Sequence, residues 1–296
     1  MEVLRADAMG MCFGVRDALR VLDGVAAPAD VTIHGELVHN GEVLADLAAR
    51  GFRQSPESGR GVPATPAVLV TAHGISERER ARLVAAGKRL VDTTCPLVQR
   101  AHDAAQQLQR DGRRVVVLGR REHVEVRGIV EDLDRAIVVE RRDDVATWPE
   151  RRLGVVCQTT TAPERVAELV AAIRAENPHA DVLLVDTVCS PTKARGEALE
   201  ALLPRVDALV VVGGRGSNNT LRLVERGRRA GVATWHVESE RELEGRWFVG
   251  RRAVGLTAGT ATLPATVDAV HRWLLRLARA GAAGRTLSDD VHARHR

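Results

Sequence analysis

The sequence predicts an α/β protein with mainly parallel sheets, because short β-branched runs alternate with longer helical stretches along its 296 residues. Apolar residues make up 45% of the chain and charged residues 28%, which supplies a core and excludes long disorder as the main state. No apolar run approaches the roughly 18 residues that a membrane span requires. No apolar leader follows Met1, so we expect a cytoplasmic protein.

Local patterns place the individual elements. Runs of four or five residues rich in Val, Ile, Leu and Ala are predicted as strands: Val31–His34, Ala67–Thr71, Arg89–Asp92, Val115–Leu118, Ala136–Val139, Gly154–Cys157, Val182–Asp186, Ala208–Val212, Ala233–His236 and Ala253–Thr257. Stretches with helical periodicity are predicted as helices: Val15–Leu22, Gly41–Ala49, Glu77–Ala86, Pro96–Arg110, Pro163–Glu176, Arg195–Leu203, Thr220–Ala230 and Leu263–Ala280. No periodic pattern continues beyond Gly281, and we expect residues 281–296 to form a flexible tail.

The charge balance argues against nucleic acid as a partner. Lys and Arg number 43 and Asp and Glu number 39, so the net charge is only +4, and basic and acidic residues are intermingled. Aromatic residues make up 2% of the chain, which leaves little for stacking on single-stranded bases. We therefore expect neither a nucleic acid nor a membrane among the partners.

Four cysteines are spread along the chain, at Cys12, Cys95, Cys157 and Cys189. Disulfides are rare in cytosolic proteins, which favours metal-binding or catalytic roles for these cysteines. Cys157 ends an apolar run and is interpreted as a buried core residue. The sequence has no C-x-x-C pair, so a metal shared by the other three cysteines needs separate parts of the chain to meet.

Cys12, Cys95 and Cys189 mark a weak internal repeat. Two polar residues follow each cysteine, the first after 27 or 28 positions and the second after 61, 64 or 71: His39 and His73, His123 and Thr159, Ser217 and Thr260. All six lie in loops beside predicted strands or helices, where α/β folds place ligand sites. The repeat predicts three similar units, 1–95, 96–187 and 188–280, that face a common centre.

Three thiolates at one centre suit an iron–sulfur cluster, which four cysteines usually hold. With three, one iron has no protein ligand and can bind a substrate, as open metal sites do. The spacing alone leaves a second interpretation open, in which the three cysteines are unrelated buried residues.

The loops around these residues favour the shared cluster. They read Met11–Val15 (MCFGV), His34–Asn40 (HGELVHN), Thr71–Ser76 (TAHGIS), Asp92–Val98 (DTTCPLV), His123–Val126 (HVEV), Gln158–Thr160 (QTT), Asp186–Cys189 (DTVC), Gly216–Asn219 (GSNN) and Thr257–Thr262 (TAGTAT). Together, and in this order, they resemble the LytB family of 4-hydroxy-3-methylbut-2-enyl diphosphate reductases, which act in the methylerythritol phosphate route to isoprenoids. The resemblance runs from Met11 to about Ala280.

The resemblance implies a trefoil of three α/β units around a [4Fe-4S] cluster ligated by Cys12, Cys95 and Cys189. It implies reductive removal of the substrate's allylic hydroxyl with two electrons and protons, which gives isopentenyl and dimethylallyl diphosphates. The electrons are implied to come from ferredoxin or flavodoxin.

The resemblance also assigns roles to individual residues. His123 and Glu125 match the proton-handling pair, and Thr159 matches the threonine that bonds near the substrate hydroxyl. The remaining matches are to the diphosphate-binding residues: His39, His73, Ser217, Asn218, Asn219, Thr260, Ala261 and Thr262. A carboxyl beside an anionic cluster and a diphosphate is expected to have a raised pKa and to hold a proton ready.

The anion-binding motifs depart from the family pattern. Ala261 stands where the family has serine, flanked by Thr260 and Thr262, and Asn218 stands where a second serine is common. The family's Gly-His-Pro-Glu is here Glu122–Glu125 (EHVE), and its Ala-Thr after the third cysteine is here Pro191–Thr192. Two alternatives therefore accompany the reductase hypothesis: a diverged paralogue that dehydroxylates a related substrate, and a non-catalytic iron–sulfur sensor. Retention of Glu125 argues against the sensor.

Overall fold

The computed structural model describes residues 1–38, 40–57 and 59–282. Its strands are β1 (Glu2–Arg5), β2 (Val31–Ile33), β3 (Arg53–Gln54), β4 (Ala67–Val70), β5 (Arg89–Asp92), β6 (Arg114–Leu118), β7 (Ile137–Val139), β8 (Arg152–Cys157), β9 (Asp181–Leu184), β10 (Ala208–Val212), β11 (Ala233–Val237) and β12 (Ala253–Ala258). Its α-helices are α1 (Phe13–Asp23), α2 (Gly41–Ala49), α3 (Glu77–Ala85), α4 (Pro96–Arg110), α5 (Val124–Glu131), α6 (Pro163–Glu176), α7 (Ser190–Leu202), α8 (Asn218–Arg229) and α9 (Pro264–Ala282).

The described strands form three four-stranded sheets, with orders β3-β2-β4-β5, β7-β6-β8-β9 and β1-β12-β10-β11. Every strand pair in them is parallel. Parallel strands covered by helices on both faces are buried along their whole length. This burial accounts for uninterrupted apolar runs such as β10, whose five residues are all fully buried. The predicted α/β class, with its mainly parallel sheets, is confirmed.

The chain divides into two compact units. We call Phe13–Lys193 the two-sheet unit, because it contains the first two sheets. We call Met1–Cys12 with the described residues from Ala194 onward the one-sheet unit. The predicted division at 1–95, 96–187 and 188–280 stays a prediction; the sheets follow one another in that order, but β1 pairs with β12.

Three elements were not predicted from the sequence. The strand β1 is a four-residue edge strand with charged ends, and β3 consists of only two residues, both of which are exposed. The helix α5 has eight residues and was missed because three of them are charged and one is a glycine, which weakens its helical pattern. Such short elements depend on packing more than on propensity.

Most predicted boundaries lie within two residues of the observed ones, and the differences at α7 and α9 are the ones that matter here. The helix α7 begins at Ser190, five residues before the predicted start at Arg195, because Pro191 is tolerated in a first helical turn. The helix α9 continues to Ala282, so the predicted tail begins inside a helix, and residues 283–296 lie outside the described part of the chain. In the part that is described, every helix is too short or too polar to span a bilayer.

Candidate active site

Glu125 and Thr159, which the sequence predicted separately, are in direct contact in the two-sheet unit. Glu125 lies in the first turn of α5 and is 1% exposed. Its Oε1 accepts the Thr159 backbone N–H at 2.6 Å, and its Oε2 accepts the Thr159 hydroxyl at 2.9 Å. Burial raises the pKa of Glu125 to about 7, although the two bonds from Thr159 lower it. This carboxyl group can therefore hold a proton near neutral pH.

His123 precedes Glu125 and caps the same helix. Its Nδ1 accepts the backbone N–H of Glu125 at 3.2 Å, so a neutral His123 ring carries its proton on Nε2. The ring of His73 lies edge-on to it, with 5.6 Å between the ring centroids. Gly74 after His73 has a φ of 71°, which favours glycine. The structure thus brings the proton-handling residues and His73 into one neighbourhood, while His39 lies outside the described residues.

The same backbone contact recurs at the three cysteines of the repeat. Within the two-sheet unit, the N–H of Cys95 donates to the carbonyl of Ala72, next to His73, at 3.1 Å. There, too, the N–H of Cys189 donates to the carbonyl of Thr159 at 2.9 Å. Within the one-sheet unit, the N–H of Cys12 donates to the carbonyl of Thr260 at 2.9 Å. Each cysteine is therefore held by the loop that carries a polar residue of the repeat.

Each of these three cysteines immediately precedes a helix: α1, α4 or α7. The N-terminus of a helix stabilises negative charge, so these positions suit thiolates. Within the described residues none of the three forms a disulfide, and all three are partly exposed. The Sγ of Cys189 lies 3.1 Å from the hydroxyl of Thr192, and a Cβ at Gly14 would lie 2.8 Å from the Sγ of Cys95. A larger residue at position 14 would therefore crowd the Cys95 thiol.

Cys157 differs from the other three cysteines. It lies at the end of β8 and is fully buried in the second sheet's core. Burial, and then the charge of Asp186, raise the pKa of its thiol to about 12. Its thiolate is therefore disfavoured, and Cys157 fits the predicted role of a core residue.

The one-sheet unit contains the predicted anion-binding loops. Ser217 caps α8 by accepting the N–H of Thr220 at 3.4 Å, and the side-chain oxygen of Asn219 accepts the N–H of Thr260 at 3.0 Å. Asn219 thereby joins the start of α8 to the loop after β12. Asn218, the first residue of α8, and Ala261, in the loop after β12, are buried. A helix N-terminus beside a second loop is a suitable place for a phosphate group.

The two threonines beside Ala261 are not equivalent. The hydroxyl of Thr262 is buried and donates to the carbonyl of Val212 in β10 at 3.0 Å. Thr260 is partly exposed. The hydroxyl of Thr262 is therefore engaged within the fold, whereas Thr260 is closer to the surface.

Two positioning residues were missed in the sequence. The buried Arg195 donates through Nε, at 3.1 Å, and through Nη2 to the carbonyl of Gly10, two residues before Cys12. The Nε2 of His236 bonds to the carbonyl of Gly213, at the start of the loop that contains Ser217, at 2.7 Å. Both act on backbone carbonyls, so only the fold reveals them. Within the described ranges, no three His, Cys, Asp or Glu side chains are grouped to hold a single metal ion.

Comparison with known proteins identifies the chain's relatives. The family model described as LytB protein matches residues 3–275. Curated 4-hydroxy-3-methylbut-2-enyl diphosphate reductases are similar along most of their length. The one from Anaeromyxobacter sp. (strain K) is 35% identical over 94% of this chain and 100% of its own. The one from Aquifex aeolicus is 31% identical over 88% of this chain and 92% of its own.

Solved structures are similar as well. A structure of (E)-4-hydroxy-3-methyl-but-2-enyl diphosphate reductase has a TM-score of 0.66 at 31% identity, over 93% of this chain and 100% of that one. A structure of the E-1-hydroxy-2-methyl-but-2-enyl-4-diphosphate reductase from Plasmodium falciparum has a TM-score of 0.82 over 90% of this chain and 86% of that one. Its identity is 24%, so this second likeness concerns the fold. These likenesses define the class of the protein as an oxidoreductase. The chain belongs to the LytB family.

Proposed function

We propose that this protein reduces 4-hydroxy-3-methylbut-2-enyl diphosphate to isopentenyl and dimethylallyl diphosphates, as the terminal enzyme of the non-mevalonate pathway. Its relatives are named for this substrate. The allylic hydroxyl leaves as water, which takes two electrons and two protons. We further propose a small electron carrier, ferredoxin or flavodoxin, as the donor, and the cytoplasm as the location.

The proposed cofactor is a [4Fe-4S] cluster held by Cys12, Cys95 and Cys189. The donor set fits such a group, because the three cysteines form no disulfide within the described residues, are partly exposed and are placed before helices. Their shared backbone contact supports equivalent roles for the three cysteines. When bound, the cluster supplies the electrons and an iron with Lewis acidity.

Glu125 is the proposed proton source for the departing hydroxyl. Burial keeps its carboxyl group partly protonated at neutral pH, and Thr159 holds both of its oxygens in place. A catalytic acid works best when its pKa lies near the working pH. Thr159 also accepts the N–H of Cys189 through its carbonyl, so the proton donor lies beside a proposed ligand. The Glu125–Thr159 contact is the observation that carries the proposal.

The diphosphate is proposed to bind at the histidines and at the loops of the one-sheet unit. His39, His73 and His123 offer ring N–H donors, and a bond to a charged acceptor is about twice as strong as a neutral one. Ser217, Asn218 and Asn219 offer further donors at the start of α8, and Thr260 offers one in the loop after β12.

The test is anaerobic turnover of 4-hydroxy-3-methylbut-2-enyl diphosphate by the cluster-loaded protein, with a reduced viologen dye as electron donor. We expect consumption of the dye together with both five-carbon diphosphates. If these products are absent and a related hydroxylated diphosphate is reduced instead, the protein is the diverged paralogue and the proposal is wrong. The alanine at position 261 favours this alternative.

Thr159→Val is expected to move the alkaline limb of the pH–rate profile upward. In the wild type, the hydroxyl bond from Thr159 to Oε2 lowers the pKa of Glu125. The variant removes this bond, so the pKa of Glu125 rises. Activity that needs protonated Glu125 is lost as the pH rises through its pKa, so the loss moves to higher pH. The measurement is kcat/KM against pH, with Thr161→Val as the matched control. Superimposable limbs in Thr159→Val and wild type would contradict the role.

Thr260→Val is expected to raise KM about 10-fold, which is the effect of one lost bond to a charged group. Thr262→Val is expected to leave KM nearly unchanged and to lower the free energy of unfolding by about 1 kcal/mol, because its hydroxyl bonds within the fold. Both values come from steady-state kinetics and denaturant unfolding of the two variants. Equal KM values for Thr260→Val and wild type would count against this anion site.

A further inference from the structure

A polar cavity of about 520 Å³ lies in the two-sheet unit beside α3 and α5. None of the residues proposed to bind the cluster or the substrate, or to handle protons, is among its lining residues. Four arginines and three glutamates line it. The arginines come from three parts of the chain: Arg60 from the loop before β4, Arg78 and Arg82 from α3, and Arg127 from α5. A cavity with several guanidinium groups is suited to an anion.

Arg60 has a donor that the fold does not use. Its side chain is 12% exposed, and its Nη2 lies 3.1 Å from a carboxylate oxygen of Glu57, with which it forms an ion pair. Its Nε is buried without a hydrogen-bond partner. A buried donor left unsatisfied is costly, so an acceptor that enters the cavity gains this bond.

Arg127 brings a second positive charge to the same cavity. Its Nη2 donates to the carbonyl of Glu57 at 2.6 Å, and among the described residues no carboxylate lies within ion-pair distance of Arg127 or of Arg78. Burial lowers the pKa of Arg60, and the charge of Arg127 lowers it further. An anion between these two guanidinium groups would offset their repulsion.

The glutamates are engaged in other contacts. Glu79 pairs with Arg82 at 2.6 Å and bonds to His34 at 2.8 Å. Glu131 accepts the hydroxyl of Ser76 at 2.6 Å. Glu57 accepts the backbone N–H of Glu36 at 2.6 Å. Four arginines against three glutamates leave the lining with a net positive charge, and Arg78 and Arg127 are the two lining arginines without an ion pair among the described residues.

We propose that this cavity is a second anion site, which takes the phosphate or diphosphate group of a small molecule. A phosphate group carries enough charge and acceptor oxygens to bond Arg60, Arg127 and Arg78 together, whereas a single carboxylate serves one guanidinium fork. Val124 and Arg127, on either side of Glu125 in α5, both line the cavity, so its occupant touches the helix that positions the proposed proton donor.

The experiment is anaerobic calorimetric titration of the full-length, cluster-loaded protein with inorganic diphosphate. We expect two binding events in the wild type, one of them lost or weakened about tenfold or more in Arg127→Met. Arg110→Met is the matched control, because Arg110 is an exposed arginine of the same unit that bonds to Gln107, and it should keep both events. Asn219→Ala should weaken the other event, that of the loops around Ser217, and leave the cavity event intact.

Thermal unfolding checks that each variant is folded. Should Arg127→Met fail to fold, the exposed Arg78→Met replaces it with the same expected loss. A single event that disappears in Asn219→Ala, or equal affinities in Arg127→Met and Arg110→Met, would overturn the proposal. Stronger binding of acetate than of diphosphate at the cavity would overturn the assigned ligand class. Because binding is measured without turnover, the result is independent of the proposed reaction.

Discussion

Glu125→Gln is expected to lower turnover about 100-fold or more while leaving KM within a few-fold of wild type. Glutamine keeps the shape of the side chain and can still accept the N–H of Thr159, but it has no proton to give to the departing hydroxyl. The measurement is steady-state reduction of the diphosphate with a reduced dye. Near-normal turnover in this variant would remove Glu125 from the mechanism.

The same variant has a second signature that is independent of substrate. The pKa of Glu125 is raised in the folded state, so the folded protein binds this proton more tightly than the unfolded chain. Its contribution to stability is complete below the unfolded pKa and is lost as the pH rises through about 7. The loss is about 3 kcal/mol in wild type. We expect denaturant unfolding of Glu125→Gln to lack this pH dependence.

Serine at Cys12, Cys95 or Cys189 is expected to lower the iron content to less than about half of the wild-type value, because thiolates are the ligands of iron–sulfur clusters. The readout is iron and sulfide analysis after anaerobic reconstitution, which does not depend on activity.

Cys157→Ser is the matched control in this series. Its thiol is buried in the second sheet's core, so its replacement should keep the iron and lower the free energy of unfolding by about 1–3 kcal/mol. Equal iron losses in Cys157→Ser and Cys95→Ser would refute the ligand assignment.

The fold was predictable wherever an element is long and periodic. The helices α2, α4 and α6 begin and end where the sequence predicts, and β5 and β10 match residue for residue. Elements that depend on distant partners were not predictable. The strand β1 is specified by its pairing with β12, about 250 residues away in the chain.

In the candidate site, the sequence predicts which residues matter, but the contacts between them are set by the fold. Glu125 and Thr159 were singled out by their motifs, but their mutual contact, across 34 positions, is a property of the fold. Arg195 and His236 bond to backbone carbonyls, which carry no signature in a sequence. The sequence also does not distinguish Thr260 from Thr262, whereas in the structure the hydroxyl of Thr262 bonds to the carbonyl of Val212.

The pairing of β1 with β12 has a consequence for biosynthesis. Cys12 is held by Thr260, and within the described residues β1 pairs with residues 253–256, so this strand has no strand partner until about 250 further residues have been synthesised. At about 5–20 residues per second, this delay is on the order of ten seconds or more. The first sheet can form long before this one. Cys12 therefore reaches its backbone contact with Thr260 long after Cys95 can reach its own contact with Ala72, so any cofactor that needs both cysteines is bound late in synthesis.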